Sequence, residues 1–325
     1  MIYNKIKYYE DAIVIPDINL ALAVKYPMGL SSKKYRDIIY GGNKFVAVSG
    51  KGGSYSSDDG GNWSGIGTAG KQIIYADSNG IGNSYYIIIQ DNVVYASTDL
   101  TIWDNITPTN SGRTIFDKIV YISNSNFLLV GHTGNTINSW HFYNTTSYNK
   151  IGDFTINGIA YATVGSLVYI PSKRVCKISL FNSNLAYDYN VSTEQWSLGG
   201  EFPTSQHTEF AYNEANGIYI ATNSSSYAVA VRKSWGSNWV NKTLSVDTSN
   251  YQSTPKIIAA RGYFFVITQQ YDGGATVAYS KDGDNWKYAP IQGAGMTDEW
   301  LVMAVGDNKA IIMSQQNAIA ISDLI

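Results

Sequence analysis

Two seven-residue stretches set a carboxylate, a hydroxyl and an indole within one tight turn: Ser57-Asp58-Asp59-Gly60-Gly61-Asn62-Trp63 and Ser280-Lys281-Asp282-Gly283-Asp284-Asn285-Trp286. A third, Ser97-Thr98-Asp99-Leu100-Thr101-Ile102-Trp103, keeps the Ser, Asp and Trp and has lost the Gly. A carboxylate beside a serine could act in acid–base chemistry, but a span this short favours a local use. The Asp side chain accepts turn N–H groups and the Ser hydroxyl adds another bond. The Gly takes backbone angles that a side chain forbids, and the Trp ring fills a gap nearby. Ser57, Asp59, Gly60, Trp63, Ser97, Asp99, Trp103, Ser280, Asp282, Gly283 and Trp286 are therefore assigned to structure.

Other chemistry is sparsely represented. Glycoside hydrolysis needs two carboxylates facing each other across roughly 5–10 Å. The glutamates Glu10, Glu194, Glu201, Glu209, Glu214 and Glu299 are not paired by any motif. His132, His141 and His207 lack metal-ligand spacing, and no calcium loop, phosphate-cradling glycine motif or nucleophile elbow occurs. The single cysteine, Cys176, excludes an intramolecular disulfide and reads as a small buried residue of a strand. No catalytic residue, metal or cofactor is expected.

The elements around these residues are strands. Charged residues make up 15 % of the 325, below the usual share, while 26 Tyr and 8 Trp suit an all-β chain rich in turns. From Asp37 a unit is legible: Ile38-Ile39-Tyr40, a Gly41-Gly42-Asn43 turn, Phe45-Val46-Ala47-Val48, a third strand ending at Ser57, and a fourth beginning at Trp63. The opening tripeptide recurs as Ile73-Ile74-Tyr75, Ile119-Val120-Tyr121, Ile159-Ala160-Tyr161, Phe210-Ala211-Tyr212, Ile257-Ile258-Ala259 and Leu301-Val302-Met303. A period of roughly 40–50 residues with four strands per unit predicts propeller blades. The expected fold is a single seven-bladed β-propeller of four-stranded antiparallel blades over residues 31–325, with blades starting near 37, 72, 118, 158, 209, 256 and 300. The seventh unit shows three strands, so the segment 1–30, around Leu20–Val24, is expected to close it as its outer strand.

The three turns resemble the Asp-box, or BNR repeat, of sialidases and of bacterial and phage propellers. In that family the turns lie on the face opposite the active site. Sialidases bind the substrate carboxylate with three arginines, one of them in an Arg-Ile-Pro motif. They also use a Tyr–Glu nucleophile pair and an acid/base Asp. Here the nearest match to the motif is Val14-Ile15-Pro16, with no arginine. Strand order would bring Arg36, Arg113 and Arg174 to one rim, the alternative being a sialidase-like glycoside hydrolase.

The rim opposite the Asp-box turns carries Arg113, Tyr227, Tyr251 and Tyr271 on its loops. Aromatic rings beside amides and hydroxyls suit sugars, so these four are the expected ligand-binding residues. With a net charge of −2 and no basic stripe, nucleic acid is not an expected partner. No apolar run is long enough for membrane insertion. The N-terminus, Met1-Ile2-Tyr3-Asn4-Lys5, shows no leader pattern. The resemblance implies a binding or structural module without catalysis, a phage tail, fibre or baseplate component that meets a cell-surface glycan or another virion or cell-surface protein. The expected location is the virion or the cell exterior, with the cytoplasm as the alternative.

Overall fold

The computed structural model describes residues 17–25, 35–50, 55–80, 82–157, 162–181, 183–203, 207–223, 228–245, 256–269, 274–294, 300–314 and 318–324. They form seven four-stranded antiparallel sheets arranged as blades of a propeller. The inner strands, Tyr35–Gly41, Gln72–Ala76, Ile115–Ser123, Val164–Ile170, His207–Asn213, Lys256–Ala260 and Trp300–Val305, lie side by side around a central channel. The only helical element among the described residues is a turn at Pro171–Lys173.

Second strands are apolar on both faces because each blade is sandwiched between two others. Val46-Ala47-Val48, Ile87-Ile88-Ile89 and Phe127-Leu128-Leu129-Val130 are fully buried, and their alternate residues enter the clusters on either side. Outer strands meet solvent, and in blades one to six an aromatic ring at the outer strand reaches back toward the preceding blade. Trp196 Nε1 donates to Ser139 Oγ at 2.9 Å and Trp239 Nε1 to Glu201 O at 3.0 Å. In blade three Tyr148 takes the tryptophan place, accepting from Thr109 N at 2.9 Å.

The recurring tripeptide has a physical reason. Its Tyr reaches from the end of one inner strand to the first turn of the blade before it. Tyr40 Oη donates to Asp307 Oδ2 at 3.1 Å, Tyr121 Oη to Asp77 O at 2.7 Å, and Tyr212 Oη lies 3.1 Å from Ser172 Oγ.

Two units depart from the sequence reading. In blade four, Leu167-Val168-Tyr169 and not the expected Ile159-Ala160-Tyr161 form the tripeptide of the inner strand, and the second strand runs Val175–Leu180. The tripeptide Ile159-Ala160-Tyr161 lies outside the described residues. In blade seven the register Met303↔Ile312, Ala304↔Ile311, Val305↔Ala310 makes Met303-Ala304-Val305 the counterpart of Ile38-Ile39-Tyr40. A bulged residue stands at Leu301, as at Arg36, Asp117, Gly165 and Thr208 in the other inner strands.

The ring closes with the N-terminal strand Ala23–Lys25, which pairs antiparallel with Ile319–Asp323 (Ala23↔Ile321, Val24↔Ala320, Lys25↔Ile319). Val24 N also donates to Gln292 O at 3.0 Å, and Gln292 N to Leu22 O at 2.9 Å, tying the strand to blade six. Ile18 and Leu22 are buried among Phe265, Val277 and Tyr279 of blade six and Ile312 and Ala320 of blade seven.

The three Ser-x-Asp turns sit at the opposite end of the blades from the start of the inner strands. Gly60 N donates to Ser57 Oγ at 2.8 Å, Gly61 N to Asp59 Oδ1 at 2.7 Å, and Trp63 Nε1 to Gly60 O at 2.9 Å. The second copy repeats the set, with Asp284 N and Asn285 N each 2.8 Å from Asp282 Oδ1 and Trp286 Nε1 2.9 Å from Gly283 O. Burial works against ionisation of Asp282, but these donors outweigh it and hold its pKa down to about 2. Gly60 has φ +78°, and a Cβ there would meet Ile311 Cδ1 at 2.3 Å. In the third copy Leu100 takes the same left-handed angle, φ 65°, and buries its side chain between blades one and two.

Two outcomes are expected in denaturation experiments. Leu22→Ala should lower unfolding stability by about 2–5 kcal/mol, as truncation of a fully buried leucine does, and an unchanged midpoint would show that the N-terminal strand does not close the ring. Asp282→Ala should cost ~1–2 kcal/mol by orphaning the turn N–H groups. A silent Asp282 substitution would return that carboxylate to the list of functional candidates.

Candidate functional site at the mouth of the central channel

One residue of each inner strand, the one before the apolar tripeptide, stands at the same level of the channel: Asp37, Gln72, Lys118, Ser166, Glu209, Lys256 and, in blade seven, Val302. All line a cavity of about 570 Å³ that runs down the channel. Most of the ring fastens one blade to the next. Asp37 accepts Ile73 N at 3.0 Å, Gln72 accepts Ile119 N at 2.8 Å and donates to Ile119 O at 3.2 Å, and Ser166 Oγ bonds Phe210 O at 3.1 Å. Glu209 forms an ion pair with Lys256 of the following blade.

Lys118 breaks the series. A lysine cannot accept an N–H group, and in blade three the bulged neighbour Asp117 does so instead. Asp117 Oδ2 takes Val164 N at 3.4 Å and lies 2.6 Å from His132 Nδ1. Lys118 is thereby released from structural duty. It makes no hydrogen bond or ion pair among the described residues. Arg36 and Lys71 line the same mouth, and the Lys256 charge is held by Glu209. With Arg36, Lys71, Lys118 and Lys256 against Asp37 and Glu209, the cavity mouth carries more positive than negative charge.

Burial sets the ionisation of these groups. It raises the Asp37 carboxyl to about 6, against the pull of Ile73 N and of the Lys118 and Lys256 charges. It lowers the Lys118 ammonium, an effect opposed by Glu209 and reinforced by Lys256. Lys71 is lowered for the same reason, whereas the Glu209 ion pair raises Lys256. The arrangement offers hydrogen-bond donors and positive charge at the open end of an apolar-walled channel, which suits a ligand with an anionic end.

Of the expected ligand-binding residues, Tyr227, Tyr251 and Tyr271 lie outside the described residues. Arg113 is exposed on the connection between blades two and three. The three arginines do not share a rim. Arg36 lines the channel mouth, while Arg174 sits with φ 52° after Pro171–Lys173, in the turn between first and second strands on the opposite face. Its misplacement follows from the reassignment of Leu167-Val168-Tyr169. His141 is buried on that same face, 3.3 Å from Glu194 and 3.2 Å from Tyr189 Oη, and burial lowers its pKa. Among the described residues no group of three or more His, Cys, Asp or Glu could hold a metal ion. The ring residues escaped sequence reading, although a polar residue directly before an apolar tripeptide was the signal for them.

No protein-family model and no curated protein matches the sequence. Solved structures do match, and they show the fold. The chain is a seven-bladed β-propeller. Virginiamycin B lyase from Staphylococcus aureus aligns with a TM-score of 0.71 at 10 % identity, over 94 % of this chain and 100 % of that one. A catalytically inactive variant of the same lyase with quinupristin aligns at 0.70 and 10 % identity, over 95 % and 100 %. YCF48 from Cyanidioschyzon merolae gives 0.66 at 14 % identity, over 93 % and 98 %. The likeness to a lyase corrects the expectation of a module without catalysis. A ring of this build carries an enzyme activity elsewhere, so the lack of a sialidase motif is no ground for excluding chemistry here.

The Asp37 carboxyl gives a pH test. Between its ordinary value of 3.8 and about 6 the folded protein keeps a proton that the unfolded chain has released. Stability therefore falls as pH rises through that window, and the loss is complete above it. Asn at this position accepts Ile73 N without a charge. Asp37→Asn should remove a pH-dependent loss of roughly 1–3 kcal/mol, seen as unfolding curves that diverge from wild type above about pH 5. Parallel curves would contradict the assignment.

Proposed function

We propose that the chain is a ligand-binding propeller whose channel mouth receives the anionic end of a small molecule or glycan. Lys118 carries this reading. Among the described residues its ammonium makes no hydrogen bond or ion pair, and the Glu209, Asp37 and Asp117 charges act on it without contact; a partly buried ammonium left so is stabilised when a ligand brings an anionic group to it. Arg36 and Lys71 add donors around it, and the apolar wall below, with Val120, Leu167 and Ile258, accepts the less polar part of a ligand.

The biological setting we propose is the surface of a phage particle, facing an acidic cell-surface glycan or a neighbouring protein. Support comes from the Asp-box turns, whose hydrogen bonds are complete in two copies, and from a composition rich in Tyr and poor in charge. A place outside the cell follows from that setting.

The test is calorimetric titration with inorganic phosphate, galacturonic acid and galactose. The two anions should bind and the neutral sugar should not. Binding should weaken with added salt, and Lys118→Met should reduce affinity at least about tenfold, the loss of ~1.4 kcal/mol. Equal affinities for wild type and variant, in protein of unchanged melting temperature, would overturn the reading.

A further inference from the structure

The channel mouth holds a group whose placement suits covalent capture as well as charge recognition, an inference that rests on the binding reading above and extends it. We propose that Lys118 is a reactive amine that captures a carbonyl compound bearing an acidic group, a 2-oxo acid or aldehyde acid, as an imine.

The argument starts from placement. Lys118 lines the cavity of about 570 Å³, room enough for a small oxo acid. Other lysines are engaged: the partly exposed Lys256 by Glu209, and the buried Lys177 by Asp188 at 2.5 Å and Gly199 O at 2.9 Å. Exposed lysines such as Lys44 and Lys150 pair with Asp58 and Asp153. Lys118 has no such tether, because Asp117 has taken over the bond to the next blade. A lysine becomes a nucleophile when burial and a neighbouring cation favour its free amine. Both conditions hold here, since Lys256 stands at the same ring level. The groups that face Lys118 are Asp37 from blade one, Glu209 from blade five, Lys256 from blade six, its neighbour Asp117, and Lys71 beside the mouth. Arg36 and Lys71 would hold the acid group while the carbonyl carbon meets Nζ.

The step balances without an oxidant or reductant. The unprotonated Nζ forms a bond to the carbonyl carbon, and the carbonyl oxygen takes a proton from the Asp37 carboxyl. The nitrogen then returns a proton to the Asp37 carboxylate, giving a neutral carbinolamine. A second transfer from Asp37 to the hydroxyl expels water as the nitrogen lone pair forms the C=N bond, leaving a protonated imine beside the Asp37 carboxylate. Asp37 suits this exchange because its carboxyl, at about 6, is partly protonated near neutral pH.

The experiment is reductive trapping. The full chain is incubated with glyoxylate and cyanoborohydride from pH 5 to 8, and the modified lysines are mapped by peptide mass spectrometry. Burial favours the free amine of Lys118, so Lys118 should be labelled at least severalfold faster than the exposed, ion-paired Lys44 and Lys150. Lys118→Arg keeps the charge and removes the nucleophile, so it should lose the rapid label. Should that variant fail to fold, the site map of the wild-type protein decides alone. Labelling that follows exposure, or that falls on Lys71 with Lys118 unmodified, would overturn the proposal. Phosphate binding in that same protein would show that only the covalent step is wrong, and its absence would remove the binding reading too.

Discussion

The ring depends on a hydrogen bond made again and again at the channel mouth. A side chain at the start of one inner strand accepts, or reaches, the backbone of the next: Asp37 to Ile73, Gln72 to Ile119, Ser166 to Phe210. Backbone groups facing a channel have no sheet partner there, and leaving them unpaired among protein atoms would be costly. At the other end the tyrosines of the tripeptide reach the opposite way, to the preceding blade. Each blade is thus fixed to both neighbours, and the apolar second strands fill the space between. The N-terminal strand makes the last join, between blades seven and six.

That same arrangement explains why a functional group can stand in the ring. The position needs an acceptor in most blades, and an ionisable or basic residue there must either find a partner or be relieved. Glu209 and Lys256 satisfy each other. In blade three the bulge brings Asp117 into the acceptor role, steadied by His132, and frees Lys118. The cost is a lysine kept where burial disfavours its charge. A structural residue would remove that cost; a ligand-binding one uses it.

The sequence carried much of the architecture, for reasons visible in particular residues. The Ser-x-Asp-Gly turns are local motifs, with every bond made within a few positions, so Ser57–Trp63 and Ser280–Trp286 could be read from spacing. Closure by the N-terminal segment followed from a seventh unit with three strands, and the strand Ala23–Lys25 falls at the end of the expected Leu20–Val24. The inner strands of blades four and seven were misread because short apolar runs stand just before the true tripeptides, Ile159-Ala160 before Leu167-Val168-Tyr169 and Leu301-Val302 before Met303-Ala304-Val305. The site was harder. Lys118, Asp37 and Lys256 lie far apart in the chain, and their meeting is a property of the closed ring. Attention went instead to loop residues, of which Arg113 is exposed and without a bond among the described residues.

The most direct measurement is a crystal of the protein grown or soaked in bromide, with the anion located by its anomalous scattering. The account places a bromide at the channel mouth within ion-pair distance of Lys118 Nζ, bounded by Arg36 and Lys71. A map in which bromide occupies only outer-surface lysines, with the mouth empty and Lys118 bonded to a protein carboxylate, would contradict it.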